Sequence, residues 1–168
     1  INGMHKVDDY VYVVSDKELY KINESGTVTK IAEFNRSSRT SRGNEYTQAS
    51  MHNNGTQLVI ADGNSLKVFD IDSGTFTTTS SPGTSVADFI DGYSVFVDDG
   101  TGRFSYTSLY DATTISALDF ATAEGSPDKL VSIITDRREV WLLGEDTFEI
   151  WYNTARETDH PFSRPQGG

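Results

Sequence analysis

The sequence has no cysteine, which excludes disulfides and thiolate metal sites. Proline is scarce, at four in 168 residues, and three histidines leave few imidazole ligands. Cations are in deficit too. Lys and Arg number 14 against 25 Asp and Glu, a formal net charge of −11. Nucleic-acid affinity comes mainly from cations that neutralise phosphates, so a chain this acidic repels the duplex, and no specific nucleic-acid binding is expected. No apolar run approaches membrane-spanning length and no secretory signal opens the chain, so no membrane span is expected. The chain begins at Ile1 instead of methionine and is expected to be a fragment or a processed product.

What the chain does have is aromatic residues (11%) and many β-branched ones, enough for a packed core. Period-two alternation dominates, and helical periodicity is hard to find. Tyr10 to Val14 reads as a buried strand, followed by the turn Ser15-Asp16-Lys17-Glu18 and the strand Leu19 to Ile22. Asn23-Glu24-Ser25-Gly26 is then a hairpin turn before the alternating outer strand Thr27 to Ile31. The same pattern returns at Gln57–Thr79, at Tyr93–Thr107 and at Glu139–Tyr152. A short strand precedes each copy: Met4–Val7, Ala49–His52, Val86–Ile90 and Leu130–Ile134. Turns near positions 8, 54, 91 and 136 give spacings of 46, 37 and 45 residues. Repeats of about 40–50 residues with four strands each mark propeller blades. The expected fold is therefore an all-β propeller with about four blades of four antiparallel strands in this chain, part of a larger propeller. Blades are expected near residues 1–34, 47–80, 84–123 and 128–168, with 35–46 as an Arg-containing inter-blade loop. A β-sandwich is the rival fold, and the regular repeat length favours the propeller.

Candidate chemistry is thin. His5 and His52 stand at equivalent places in their repeats, yet no third ligand recurs in the later copies, so no metal is expected. The acidic turns Asp8-Asp9, Asp70–Gly74 and Asp98–Gly102 lack the full carboxylate set of a calcium loop and read as hairpin turns. No carboxylate pair, nucleophile elbow or phosphate-cradling Gly loop stands out, so neither catalysis nor a cofactor is expected. Trp141, Phe148, Trp151 and Tyr152 read as packing between blades, with a sugar-stacking platform around Trp151 as the other reading. One stretch breaks the acidic pattern. Asn35 to Gly43 holds Arg36, Arg39 and Arg42 and no acid, which makes these arginines a candidate subunit interface, against a plain inter-blade loop.

From about residue 86 onward the chain resembles the packaged-DNA stabilisation proteins of short-tailed bacteriophages, also called tail accessory or nozzle proteins. The features are Phe89-Ile90-Asp91-Gly92-Tyr93-Ser94-Val95-Phe96 and Phe104-Ser105-Tyr106-Thr107-Ser108-Leu109-Tyr110-Asp111. Ala121-Thr122-Ala123-Glu124 with Pro127-Asp128 follows, then Gly144-Glu145 with Thr147 and Glu149 to Thr154, and the close Asp159-His160-Pro161-Phe162-Ser163-Arg164-Pro165-Gln166-Gly167-Gly168. Pro165 departs from the aliphatic residue expected there, and the chain stops where family members continue. The resemblance implies a structural, non-enzymatic virion tail protein that completes the DNA-filled head and forms part of the tail channel. It also implies a homo-oligomeric ring with a portal adaptor, a tail needle and tailspikes as partners, assembled in the host bacterial cytoplasm. A negative channel wall would let DNA slide. The alternatives are a glycan-binding propeller module in host adhesion and a propeller glycosidase.

Overall fold

The computed structural model describes residues 1–36, 48–123, 128–155 and 160–165, and these residues form four separate four-stranded sheets. Blade 1 holds β1 (Gly3–Val7), β2 (Tyr10–Ser15), β3 (Glu18–Asn23) and β4 (Val28–Glu33). Blade 2 holds β5 (Ser50–Asn53), β6 (Gln57–Ala61), β7 (Leu66–Asp70) and β8 (Phe76–Thr78). Blade 3 holds β9 (Ala87–Ile90), β10 (Tyr93–Val97), β11 (Arg103–Tyr106) and β12 (Phe120–Thr122). Blade 4 holds β13 (Leu130–Asp136), β14 (Glu139–Gly144), β15 (Phe148–Asn153) and β16 (Phe162–Ser163). Each sheet is an antiparallel meander in chain order. Consecutive blades meet chiefly through their first strands, β1 on β5, β5 on β9 and β9 on β13. This is the propeller arrangement, with the first strand of each blade innermost. No described helix is long and apolar enough to cross a membrane.

The turns follow from local chemistry. Two-residue turns join Val7 to Tyr10, Ile90 to Tyr93 and Asp136 to Glu139. Their first residues Asp8, Asp91 and Arg137 all adopt left-handed backbone, with φ of 49°, 48° and 54°. Asp tolerates that region because its short side chain bonds locally. The three values also establish that these turns are equivalent points in three blades.

Three apolar clusters fill the three junctions. Val7, Tyr12, Val14 and Leu19 of blade 1 meet Leu58, Ile60 and Phe69 of blade 2. Val59, Ala61, Leu66 and Val68 of blade 2 meet Ala87 and Phe96 of blade 3. Val95, Val97, Phe104 and Tyr106 of blade 3 meet Ile133, Val140, Leu142 and Trp151 of blade 4. Because β6 feeds the first two clusters alternately, all five of its residues are buried. Its continuous apolar run is the signature of a strand covered on both faces.

The connections between blades pin the β2–β3-type turns on one rim of the arc. Phe34 N–H donates to the Lys17 carbonyl, Gly63 N–H to Thr84, Asp99 N–H to Gly83 and Leu130 N–H to Thr101. Beneath this rim lies a buried ion pair. Lys67 Nζ sits 3.3 Å from Asp62 Oδ2 and also donates to Ser65 Oγ at 2.8 Å, with both charged groups essentially inaccessible. Burial pushes the Lys67 amine down, and the Asp62 carboxylate acts against that. Removing one member strands the other, so Lys67→Ala should cost about 3–5 kcal/mol in urea unfolding. The paired change Asp62→Asn with Lys67→Met should cost clearly less. Equal losses in the two variants would show that packing, and not the stranded charge, sets the cost.

Candidate functional site

The inner strands carry a repeated side-chain clasp between blades. The Asn53 amide of blade 2 donates to His5 Nε2 of blade 1 at 2.8 Å. His52 of blade 2 bonds Ser94 Oγ of blade 3 at 2.8 Å, and Ser50 Oγ donates to the Ala87 carbonyl at 2.8 Å. Thr135 of blade 4 donates its N–H (2.8 Å) and hydroxyl (3.0 Å) to Asp88 Oδ2 of blade 3. His5, His52 and Asp88 thus occupy one repeated position, each reaching into the next blade, and Ile134 is its counterpart in blade 4. The two histidines are not brought together as ligands. The described residues contain no group of three or more His, Cys, Asp or Glu that could hold a metal.

At the turn that ends the inner strand of blade 3, blades 3 and 4 are joined through Asp91. Its Oδ2 accepts from Asn153 Nδ2 at 2.9 Å and lies 3.7 Å from Arg138 Nε.

The residues that carry the family resemblance are turn clamps. Asp128 accepts three backbone N–H groups, from Glu145 (3.0 Å), Asp146 (3.0 Å) and Thr147 (2.8 Å), and the Thr147 hydroxyl at 2.9 Å. These bonds, the Asp146 N–H foremost, hold its carboxyl below the usual range. Gly144 is required beside it, because a Cβ there would overlap the Asp128 carboxylate. Gly92 is required for the same reason: a Cβ would come within 2.7 Å of Leu109 and 2.8 Å of Tyr110, whose N–H donates to the Gly92 carbonyl. The Ala112 N–H next to Asp111 donates to Gln57 Oε1 of blade 2 at 2.8 Å. His160 packs 4.9 Å from the Tyr106 ring, and Phe162 is buried against Tyr93, Phe104 and Tyr106. Glu124, Pro127, Asp159 and Gln166 to Gly168 lie outside the described residues.

The arginine segment separates in space. Arg36 is buried and donates from Nη1 to the Asp16 carbonyl at 2.8 Å, which fastens the end of blade 1 to its own turn. Arg39 and Arg42 lie outside the described residues. The acidic turns at Asp70–Gly74 and Asp98–Gly102 are occupied by their own chain. Asp70 Oδ1 accepts from the Ser73 N–H at 2.7 Å, Asp98 takes Arg103 and Ser105, and Asp99 Oδ1 takes Ser85. A cleft of about 380 Å³ between blades 2 and 3 is lined by Ser81, Arg103, Ser105 and Ser116, and the Arg103 cation in it is held by Asp98 and lies over Phe120.

The aromatic group divides by strand parity. Trp151 is buried in the blade 3–blade 4 cluster, edge-on to Phe104 at 5.4 Å, with its N–H on Glu149. It packs between blades, the first of the two readings, and is not available as a sugar platform. Trp141 points to the opposite face, stacked on Phe148 with an interplanar angle of 10°. There Val131, Ile134 and Phe148 are each more than half exposed. At the far end of the arc, blade 1 exposes Met4 and Val28 to a similar degree. These two outward blade faces are the candidate contact surfaces. Sequence reasoning missed them, and the available signal was the parity of Ile134, Trp141, Phe148 and Ile150 about the β13–β14–β15 register.

Two outcomes test this geometry. Gly144→Ala should lower stability by about 1–3 kcal/mol through overpacking against Asp128, and by more than Asp128→Asn does, measured by thermal melting. Burial also lowers the His52 pKa to about 4, against an ordinary value of 6.5. Between those values the unfolded chain takes up a proton that the folded chain refuses. Stability is therefore complete above pH 6.5 and falls by about 3 kcal/mol as pH drops towards 4. Urea midpoints at pH 7 and 4.5 should show this slope, and His52→Gln should flatten it.

Against known proteins, a family model described as "Bacteriophage P22 Gp10, beta-propeller" matches residues 3–168. No curated protein sequence matches significantly. Among solved structures, the chain is similar to the computationally designed Ika4 protein, with a TM-score of 0.62 and 13% identity over 90% of this chain and 89% of that one. It is similar to the designed Ika8 protein at TM-score 0.61 and 11% identity, covering 92% of this chain and 46% of that one. It is similar to Kluyveromyces lactis Hsv2 at TM-score 0.65 and 13% identity, covering 96% and 50%. At these identities the structural likeness is one of fold. The chain spans about half the length of the latter two.

Proposed function

The chain belongs to the phage stabilisation family of the bacteriophage P22 Gp10 β-propeller, and from that membership we propose that it is part of a structural tail protein that completes the DNA-filled head and keeps packaged DNA from leaking. Membership of a bacteriophage family supports an association with the virion. The observation that carries the reading is the match over residues 3–168, nearly the whole chain. What supports a scaffold over a catalyst is that several carboxylates and histidines are engaged in turns and blade clasps. Asp128, Asp98, Asp70 and Asp88 each accept from the chain's own donors. In this reading the protein works through protein contacts, in a homo-oligomeric ring with a portal adaptor, a tail needle and tailspikes, assembled in the host cytoplasm. Arg39 and Arg42 remain candidates for such a contact. The net charge of −11 suits a wall past which DNA slides, because phosphates find few cations to hold them.

Glycan binding is the second reading, and the stack of half-buried Trp141 on exposed Phe148 is the observation that favours it. A leakage assay decides. DNA-filled heads lacking this subunit should retain nuclease-protected DNA when the protein carrying this chain is added, and should lose it when residues 86–168 are deleted. Undiminished leakage with no protein on the heads, together with a positive glycan array, would move the assignment to adhesion.

A further inference from the structure

Strand parity builds one wall of the cleft between blades 2 and 3. Arg103 and Ser105 share a face of β11, and Phe120 pairs with Ser105 across the register. The Arg103 guanidinium consequently lies over the Phe120 ring, 4.0 Å from its centre. Asp98, almost fully buried, accepts Arg103 Nε at 2.9 Å and Nη2 at 2.7 Å on Oδ2, and the Ser105 hydroxyl at 2.8 Å on Oδ1. A guanidinium has more than one edge that can hold a pair of oxygens. Asp98 takes the Nε–Nη2 edge, while Nη1 makes no hydrogen bond with the described residues. The cation is therefore fixed in place with donors to spare, and its side chain is 40% exposed where it lines the cleft. A group held in its binding geometry beforehand loses little freedom when a ligand arrives.

The other walls come from the β8–β9 and β11–β12 connections, and they are rich in hydroxyls. Ser81 Oγ accepts the Leu66 N–H at 2.7 Å and Ser116 Oγ accepts the Leu118 N–H at 3.2 Å. Each of these oxygens is thus used as an acceptor, which leaves its proton to donate. Ser80 is exposed at the rim, and no carboxylate lines the cleft, although the chain carries a net charge of −11. Donors converge here where acceptors are lacking. A fitting ligand supplies the acceptors: a carboxylate for the unused guanidinium edge, ring hydroxyls for the serines, and a C–H face for Pro82 and Ile115. The cleft volume of about 380 Å³ is that of a small-molecule site. A doubly charged phosphate suits it less, because Asp98 already counters the one cation. A neutral sugar would leave the Nη1 donors to water.

We propose that this cleft binds a uronic-acid sugar, its carboxylate on the free edge of Arg103 and its ring hydroxyls on Ser80, Ser81 and Ser116. Asp98 and Phe120 serve as the positioning residues that aim the guanidinium. Such binding is separate from DNA retention and from the Trp141–Phe148 stack.

Saturation-transfer NMR on the full chain, titrated with sodium glucuronate, tests it. The expected dissociation constant is about a millimolar, ordinary for a ligand of about thirteen non-hydrogen atoms. Glucose and inorganic phosphate should each bind about tenfold more weakly, or less. Arg103→Lys keeps a cation for Asp98 but removes the second edge, and should weaken glucuronate binding about tenfold. Ser80→Glu stands at an exposed position, leaves Arg103 and Asp98 untouched, and should weaken it by charge repulsion. No glucuronate binding far above a millimolar would overturn the proposal. So would glucose or phosphate binding as tightly as glucuronate, or glucuronate binding that either folded variant leaves unchanged. A glucuronate-containing tetrasaccharide separates the two sources of the sugar. Binding as tight as that of the free acid identifies a unit within a polysaccharide, and weaker binding identifies the free acid.

Discussion

Everything in this molecule depends on one constraint: a propeller blade is apolar on both faces and has to be covered on both. A four-stranded sheet with one wet face reads as strict alternation, whereas a sheet between two neighbours does not. Blade 2 is the full case, and β6 is buried from Gln57 to Ala61. Blade 4 shows the half case on the same backbone, with Val140 and Leu142 buried and Trp141 and Leu143 only partly covered. The difference between β6 and β14 lies in what stacks on them, not in their propensity for strand.

This explains what could be read from the residues and what could not. The second and third strands of each blade are long, apolar and bounded by Asp- and Gly-rich turns, so the four repeats stood out. Phe120–Thr122 and Phe162–Ser163 carry three and two strand residues, too few for any period, and only their partners Ser105 and Asn153 identify them. The aromatic group of blade 4 was legible as apolar but not as to face. Trp141 and Trp151 lie ten positions apart on different strands, and it is the β14–β15 register that sends them to opposite sides. Arg36 was read with Arg39 and Arg42 because the three are neighbours in sequence, yet Arg36 ends inside, on the Asp16 carbonyl. A charged side chain can look like a surface feature in sequence and still be buried where a backbone acceptor meets it.

The histidines make the same point about chemistry. Their equivalence in the repeat was visible, and a repeated imidazole invites a ligand reading. In the fold the repeat places them one blade apart, each directed at the next blade, so equivalence is what keeps them separate. His52 is held neutral by burial and bonded to Ser94, a coupling element and not a base. The residues behind the family resemblance behave alike. Asp128 and Gly144 are far apart in sequence, and they belong together because a carboxylate that accepts three N–H groups of one turn leaves no room for a side chain at the turn's first residue. A scaffold's signature is then a record of close approaches, and reading it as a list of reactive groups would mislead.

Stacking near-identical sheets carries a hazard, because any blade face could dock on any other. Apolar area alone does not discriminate among them, since it is non-directional. The polar clasps do. His5 with Asn53, His52 with Ser94, and Asp91 with Arg138 are three different chemistries at related places, and exchanging blades would leave the buried His52 and Ser94 without their partners. An unmade polar pair of that kind costs more than a mismatched methyl, because the group has already been taken out of water. The order of blades is therefore written in the polar residues of the inner strands and in the turns that follow them, more than in the apolar residues, which are nearly interchangeable.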